Sequence, residues 1–217
     1  MKPDPATHTL LRIGGPQALQ GESPTWGIES LQRAPWVVVR RARSCGELIP
    51  VGVRGELREQ RYASWLAPRD ILEIVTPRTL AHRRAWLQIE AVRRASVPAL
   101  NALDQVETVM RAHGLEGMWG PGGSVGFELA SARATAAINS DLDLIVECTT
   151  VDACALWAAL AALPVRVDAL LETPHGAVAL QEYARSRSEN GSFLLRTTQG
   201  PRLTQTLGAW RFSKIEV

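Results

Sequence analysis

Cysteine is scarce in this chain, and its few thiols fall into no pattern. Cys45, Cys148 and Cys154 are odd in number and lack the paired spacing of a zinc site, so neither a disulfide framework nor a structural zinc is expected. They read as buried or incidental thiols. No stretch approaches the roughly 20 consecutive apolar residues that span a bilayer, and Met1 to Leu11 has no apolar run after its lysine. A cytoplasmic protein with no membrane partner is expected. A charge excess is missing too: the formal net charge is +2, too mild to drive bulk binding to nucleic acid, although arginines cluster locally. Internal repeats and low-complexity tracts are absent. Two common phosphate loops are also excluded, because Gly120-Pro121-Gly122-Gly123-Ser124-Val125-Gly126 has neither the Walker lysine nor the dinucleotide-binding spacing. His8, His82, His113 and His175 carry no signature tying them to a serine or cysteine, and His175, before Gly176, reads as a turn residue.

What is present is a chain of 217 residues, 46% hydrophobic and 21% charged, long enough to bury a core as one large domain or two small ones. Its most informative segment is the turn Gly122-Gly123-Ser124 followed by Asp141-Leu142-Asp143-Leu144 in an apolar strand. Alternate residues of a strand share a face, which sets Asp141 and Asp143 side by side, roughly 7 Å apart at Cα. Two hard carboxylates so placed suit magnesium, whose remaining positions are filled by substrate phosphates and water. The glycine turn brings backbone amides and the Ser124 hydroxyl toward those phosphates. An edge strand carrying charges on its solvent face gives the same Asp-x-Asp pattern, but has no need of the glycine turn. Asp168, among the apolar residues of the next expected strand, is a third carboxylate that needs a stabilising partner.

Along the chain, residues 1–33 are rich in Pro, Gly and Ser and read as loosely packed. Strands are expected at Trp36 to Val39, Leu48 to Val53 and Ile71 to Val75, with helices at Arg58 to Leu66 and Pro77 to Val92. A helix from Ala102 to His113 should end at Gly114. Beyond it the order is a strand from Met118, the glycine turn, a helix to about Ala132, strand Leu142 to Val146, helix Val151 to Ala162, strand Val165 to Leu171, helix Ala177 to Arg187 and strand Phe193 to Thr197. The expected class is α+β, a mixed sheet with helices packed on one side, plus a smaller N-terminal α/β module. The boundary is set near residue 100, giving 1–100 and 101–217.

The segments Val37-Val38-Val39-Arg40-Arg41, Pro50-Val51-Gly52-Val53-Arg54-Gly55, Gly123-Ser124, Ser140-Asp141-Leu142-Asp143-Leu144, Gly176 to Arg185, Leu194-Leu195-Arg196-Thr197 and Gly200-Pro201-Arg202-Leu203 resemble one family over nearly the whole chain. It is the malonate decarboxylase holo-acyl-carrier-protein synthases, or phosphoribosyl-dephospho-CoA transferases. The Asp-Leu-Asp piece is shared with the polymerase-β-like nucleotidyltransferase superfamily. Two departures are a long stretch from Ser124 to Asp141, and Gly122 where an apolar or aromatic residue is more usual.

The resemblance implies a nucleotidyltransferase fold. It also implies transfer of phosphoribosyl-dephospho-CoA from triphosphoribosyl-dephospho-CoA to a serine of the apo acyl carrier protein subunit of malonate decarboxylase, releasing pyrophosphate. Asp141, Asp143 and Asp168 are then the expected metal ligands and catalytic carboxylates, with magnesium as cofactor. Gly123, Ser124, Arg196 and Arg202 are expected to bind the donor. Arg40, Arg41, Arg43, Arg54, Arg58 and Arg61 are read as a face that docks the carrier. A transferase with another acceptor (the citrate lyase carrier, a small molecule or a toxin partner) and a non-catalytic binder of the donor are the competing readings.

Overall fold

The computed structural model describes residues 5–43, 45–57, 59–147, 150–205 and 207. Cys148 and Arg58, both named above, lie outside them. The described chain forms two sheets with helices. In the first half, strands β1 (Leu10–Ile13), β2 (Trp36–Val39), β3 (Ile49–Arg54), β4 (Arg61–Leu66) and β5 (Ile71–Val75) pair antiparallel in the order β4-β3-β2-β1-β5, with helix α1 (Thr25–Arg33) between β1 and β2. Leu11, Ile13, Leu31, Val37, Val39, Val51 and Leu66 build one core on this sheet.

Two expectations fail here. The described residues 5–33 are not loose: β1 lies between β2 and β5, and its alternate residues enter different clusters, Leu11 and Ile13 on one face and Leu10 on the other. Four residues bounded by Gly14-Gly15-Pro16 are too few to show a period. The segment expected as a helix over Arg58 to Leu66 is β4 from Arg61 onward, in full register with β3 from Arg54↔Arg61 to Ile49↔Leu66. Tyr62 and Trp65 favour a pleated surface, and Ser64 and Leu66 turn inward together, a period of two.

The second half begins with α2 (Pro77–His82), which ends well short of the helix expected from Pro77 to Val92, and continues with the short helices α3 (Ala91–Ser96) and α4 (Pro98–Asn101). It continues through α5 (Leu103–Ala112), β6 (Trp119–Pro121), α6 (Gly123–Ser131), β7 (Leu142–Val146), α7 (Ala153–Ala161), β8 (Val167–Thr173), β9 (Gly176–Ala179), α8 (Leu180–Glu189), β10 (Phe193–Thr197) and β11 (Gly200–Thr204). Thr76 caps α2, its Oγ1 accepting from the Thr79 amide at 3.0 Å, and Gly114 follows α5 at φ +68, the left-handed terminator expected there. The six-stranded sheet has the order β11-β10-β9-β8-β7-β6, with β7 and β8 parallel and the other pairs antiparallel, so it is the mixed sheet expected.

Two of its strands went unread in the sequence. Gly176–Ala179 is β9, the return arm of a hairpin closed by Thr173 Oγ1 donating to the Gly176 carbonyl at 2.6 Å, and the helix starts only at Leu180. Gly200–Thr204 is β11, the edge strand beyond β10.

Leu142, Leu144 and Val146 of β7 and Val167, Ala169 and Leu171 of β8 pack beneath Val106 and Met110 of α5, Leu156 and Leu160 of α7, and Leu180 and Ala184 of α8. Ala81, Trp86, Val97, Ala99 and Leu100 join this core from before residue 101. A third cluster, Leu10, Trp36, Val75, Leu80 and Ala85 with Phe127 and Ala130 of α6 against it, ties the two sheets together. One face of β7–β8 is therefore sealed by helices. The other carries Asp143, Leu170 and Glu172, all half-buried, and the exposed Asp168.

Candidate active site

The turn between β6 and α6 and the paired strands β7 and β8 supply the acidic site. Asp143 lies directly opposite Asp168 in the parallel β7–β8 register, so both carboxylates leave the same face, with the strands about 4.8 Å apart. Asp141 sits just ahead of β7. The guanidinium of Arg166 links it to the set: Nη1 is 3.8 Å from Asp141 Oδ2 and Nη2 is 3.4 Å from Asp168 Oδ2. Both contacts are exposed and contribute little to stability. They do show that one cation reaches Asp141 and Asp168 together.

Gly123 is shaped around Asp143. Its φ is +54, and a Cβ built there would overlap the Asp143 carboxylate, with Cγ only 2.6 Å away. The Gly122 amide donates to the Asp143 carbonyl at 2.9 Å, holding the turn on the strand. A Cβ at Gly122 would meet Ile145 at 3.4 Å, ordinary contact, so a methyl is tolerated there. Ser124, in the first turn of α6, is buried, and its hydroxyl donates to Ser140 Oγ at 3.4 Å, beside Asp141.

The long stretch from Ser124 to Asp141 is held by Glu128, a residue the sequence reading passed over. Glu128 is 2% exposed and accepts from Arg93 Nε at 3.0 Å and Nη2 at 2.9 Å. It also accepts from the Thr135 and Ala136 amides, both at 2.8 Å, while Arg93 Nη2 donates to the Ala136 carbonyl at 2.6 Å. Burial works to raise the Glu128 pKa, but the hydrogen bond from Arg93 and those from the two amides outweigh it and leave the carboxyl below its usual range. Its ionised form therefore stabilises the fold at neutral pH, and that contribution is lost as pH falls through the depressed pKa. Glu128→Gln should lower unfolding stability by about 3 kcal/mol in urea at pH 7, the scale for breaking one partner of a buried pair. The deficit should shrink as acid protonates the wild-type carboxyl. An equal deficit at pH 7 and in strong acid would count against this role.

Asp143 is shifted the other way. Burial pushes its pKa up, the Asp168 charge adds to the rise, Arg54 opposes it, Asp141 adds again and His8 opposes it. Like-charged oxygens gathered in a partly covered place are relieved by a divalent cation, so the donor set fits magnesium, which needs only one or two carboxylates from a protein. Among the described residues, no three His, Cys, Asp or Glu side chains already stand close enough to enclose a metal ion.

The two C-terminal arginines lie on opposite faces of the sheet. Arg196 of β10 pairs with Ala177, which pairs with Glu172, so it shares the Asp143–Asp168 face. It lies level with Glu172, roughly 13 Å along the strands and roughly 10 Å across them from Asp168. Arg202 of β11 pairs with Leu195, a core residue, and so belongs to the opposite face.

Two family models match the chain in succession. The phosphoribosyl-dephospho-CoA transferase MdcG N-terminal domain matches residues 6–77, and the MdcG C-terminal domain matches residues 79–206. The chain belongs to the phosphoribosyl-dephospho-CoA transferase family. Relatives named phosphoribosyl-dephospho-CoA transferase include one from Pseudomonas syringae pv. tomato, 40% identical over 96% of this chain and 94% of its own. Another, from Klebsiella pneumoniae strain 342, is 38% identical over 95% and 97%, and one from Pseudomonas aeruginosa is 34% identical over 98% and 97%. No solved structure matches the chain.

In this transferase the N-terminal sheet contributes to the acidic face, which the sequence reading did not anticipate. His8 Nε2 lies 2.9 Å from Glu172 Oε1, and Arg41 Nη2 donates to the same oxygen. A signal for Glu172 was available: at four residues beyond Asp168 in one strand, it must share that face. None existed for His8, which precedes β1, the strand lying between β2 and β5. Among the described residues of the transferase, no helix is long and apolar enough to cross a membrane.

Proposed function

We propose that this transferase moves the phosphoribosyl-dephospho-coenzyme A group from its triphosphate precursor to a serine of the apo acyl carrier protein subunit of malonate decarboxylase, in the cytoplasm. The fold that carries the reaction is, on this reading, of the polymerase-β-like nucleotidyltransferase kind. The observation supporting it most directly is Asp143 facing Asp168 across β7 and β8, with the Gly123 turn against the Asp143 carboxylate.

The carrier serine oxygen forms a bond to the α-phosphorus in line as the bond from that phosphorus to the pyrophosphate oxygen breaks. The serine proton passes to a carboxylate, for which Asp168, the more exposed of the facing pair, is the assigned acceptor. Asp141, Asp143 and Asp168 are the residues that would hold magnesium. When bound, magnesium supplies neutralising charge to the phosphate oxygens and the leaving pyrophosphate. Gly123 lets the start of α6 approach without a side chain between, so that its amides meet the phosphates, and Ser124 secures that turn to Ser140. Arg196 meets the far end of the extended donor, whereas Arg202, on the other face, is left outside the assignment.

The acceptor is tested by incubating the protein with labelled donor and, separately, the apo carriers of malonate decarboxylase and citrate lyase. Label should enter the malonate decarboxylase carrier at least tenfold faster. Equal labelling, or labelling of the citrate lyase carrier alone, would overturn this acceptor.

A further inference from the structure

Asp141 and Asp143 are held in place by different means. Asp143 lies within β7, paired with β8 on one side, and its carbonyl accepts from the Gly122 amide on the other. Asp141 precedes the strand, and the ladder begins only after it, where the Leu142 amide donates to the Arg166 carbonyl at 2.9 Å. Its place therefore depends on residues 132–140. These return along α6, roughly 13 Å for a helix of nine residues, and have no helix or strand of their own.

The Arg93–Glu128 pair grips that segment midway. Arg93, from α3, donates to both Glu128 oxygens and to the Ala136 carbonyl, while Glu128 Oε2 takes the Thr135 and Ala136 amides. Thr135 Oγ1 in turn donates to the Ser124 carbonyl at 2.8 Å, in the first turn of α6. Beyond the grip, the Ala137 amide donates to Ser140 Oγ at 2.9 Å and the Ser140 amide to the Ala137 carbonyl at 3.0 Å, closing residues 137–140 on themselves. Little freedom is left between Ala136 and Asp141. An apolar contact would join α3 to α6 as firmly, because a buried ion pair is often no more stabilising than the hydrophobic pair that could replace it. What the ion pair adds is a set of directed hydrogen bonds to an irregular backbone.

We propose that Arg93 and Glu128 are positioning residues of the active site: through Thr135 and Ala136 they set Asp141 beside Asp143 and tie the Ser124 end of α6 to the same segment. This rests on the transfer reading above, in which Asp141 is a magnesium ligand, and deepens it. Loosening the grip should weaken magnesium binding through Asp141 while Asp143 and the sheet stay in place.

The experiment compares wild type with Thr135→Val, Thr135→Ser, Arg93→Lys, Asp141→Asn and, as a control, Thr108→Val, which removes an exposed hydroxyl that donates to the Asp104 carbonyl in α5. Three quantities are read: backbone hydrogen exchange without metal, the thermal midpoint against magnesium concentration, and turnover against magnesium concentration. Thr135 is exposed, so Thr135→Val should fold normally. It should raise the magnesium needed for a given rise in midpoint, and for half-maximal turnover, about fivefold, the scale of one lost hydrogen bond. Thr135→Ser should restore both. Arg93→Lys keeps the charge without the fork and should raise both at least about tenfold, with faster exchange across residues 132–140 and unchanged protection in β7. Thr108→Val should match wild type. A wild-type magnesium dependence in Thr135→Val and Arg93→Lys, beside an impaired Asp141→Asn, would overturn this inference alone. So would a lower midpoint in Arg93→Lys with exchange raised equally in β7, the mark of a pair that only stabilises the fold. An Asp141→Asn variant with wild-type turnover and magnesium response would overturn the assignment of Asp141 in the transfer reading, and this inference with it.

Discussion

Asp143→Asn should abolish transfer, lowering turnover at least about a hundredfold, while leaving the metal-free protein as stable as wild type or more so. The two effects have one cause. Burial and the neighbouring Asp168 charge hold the Asp143 pKa above its usual value, so its ionised form is disfavoured in the folded protein. For a carboxyl raised in this way, stability is greatest below the unfolded pKa and declines as pH rises through the folded one. Asparagine removes the repelling charge and keeps the shape. Magnesium should therefore raise the unfolding midpoint of wild type at neutral pH and leave that of Asp143→Asn unmoved, since a ligand stabilises only the state it binds. Thermal melts with and without magnesium, read beside turnover, check both halves. A variant several degrees less stable than wild type, with no magnesium effect in either protein, would show that Asp143 is a structural charge.

Gly123→Ala should be nearly as damaging to activity for a different reason. The added methyl would fall on the Asp143 carboxylate at a residue whose φ is +54, so either the side chain or the start of α6 must give way. Displacement of a reacting group by about 1 Å can cost about a hundredfold in rate, and a left-handed alanine adds about 1–2 kcal/mol of strain. Gly122→Ala is the informative comparison. Its Cβ would meet Ile145 at 3.4 Å in an ordinary backbone conformation, and it should retain most of the activity. Kinetics and urea unfolding of both variants separate the effects, and equal losses at the two glycines would contradict the close approach of Gly123 to Asp143.

The acidic centre was legible because its signals are local. β7 runs over the expected residues, the glycine turn opens α6 where a helix was read, and Asp168 falls beside Asp143 through the strand–helix–strand order of β7, α7 and β8. What the sequence concealed depends on contacts between distant segments. β1 is four residues long, with Leu10, Leu11 and Ile13 buried and Arg12 its one polar residue, so it is too short to show a period. Glu128 looks like any helical glutamate until Arg93 and the 135–136 amides surround it. Arg196 and Arg202 seem equivalent in sequence, and only the β10–β11 register sends them to opposite faces. The arginines of the first sheet read as one basic surface, because nothing local says that Arg41 turns inward to Glu172.

Intact mass of the apo malonate decarboxylase carrier, after incubation with donor and magnesium, tests the central claim most directly. Wild type should add one phosphoribosyl-dephospho-coenzyme A group at a single serine, with one pyrophosphate released per carrier, and Asp143→Asn or removal of magnesium should leave the mass unchanged. The same mass gain with Asp143→Asn, or an unmodified carrier with wild type under conditions where the donor binds, would contradict the account.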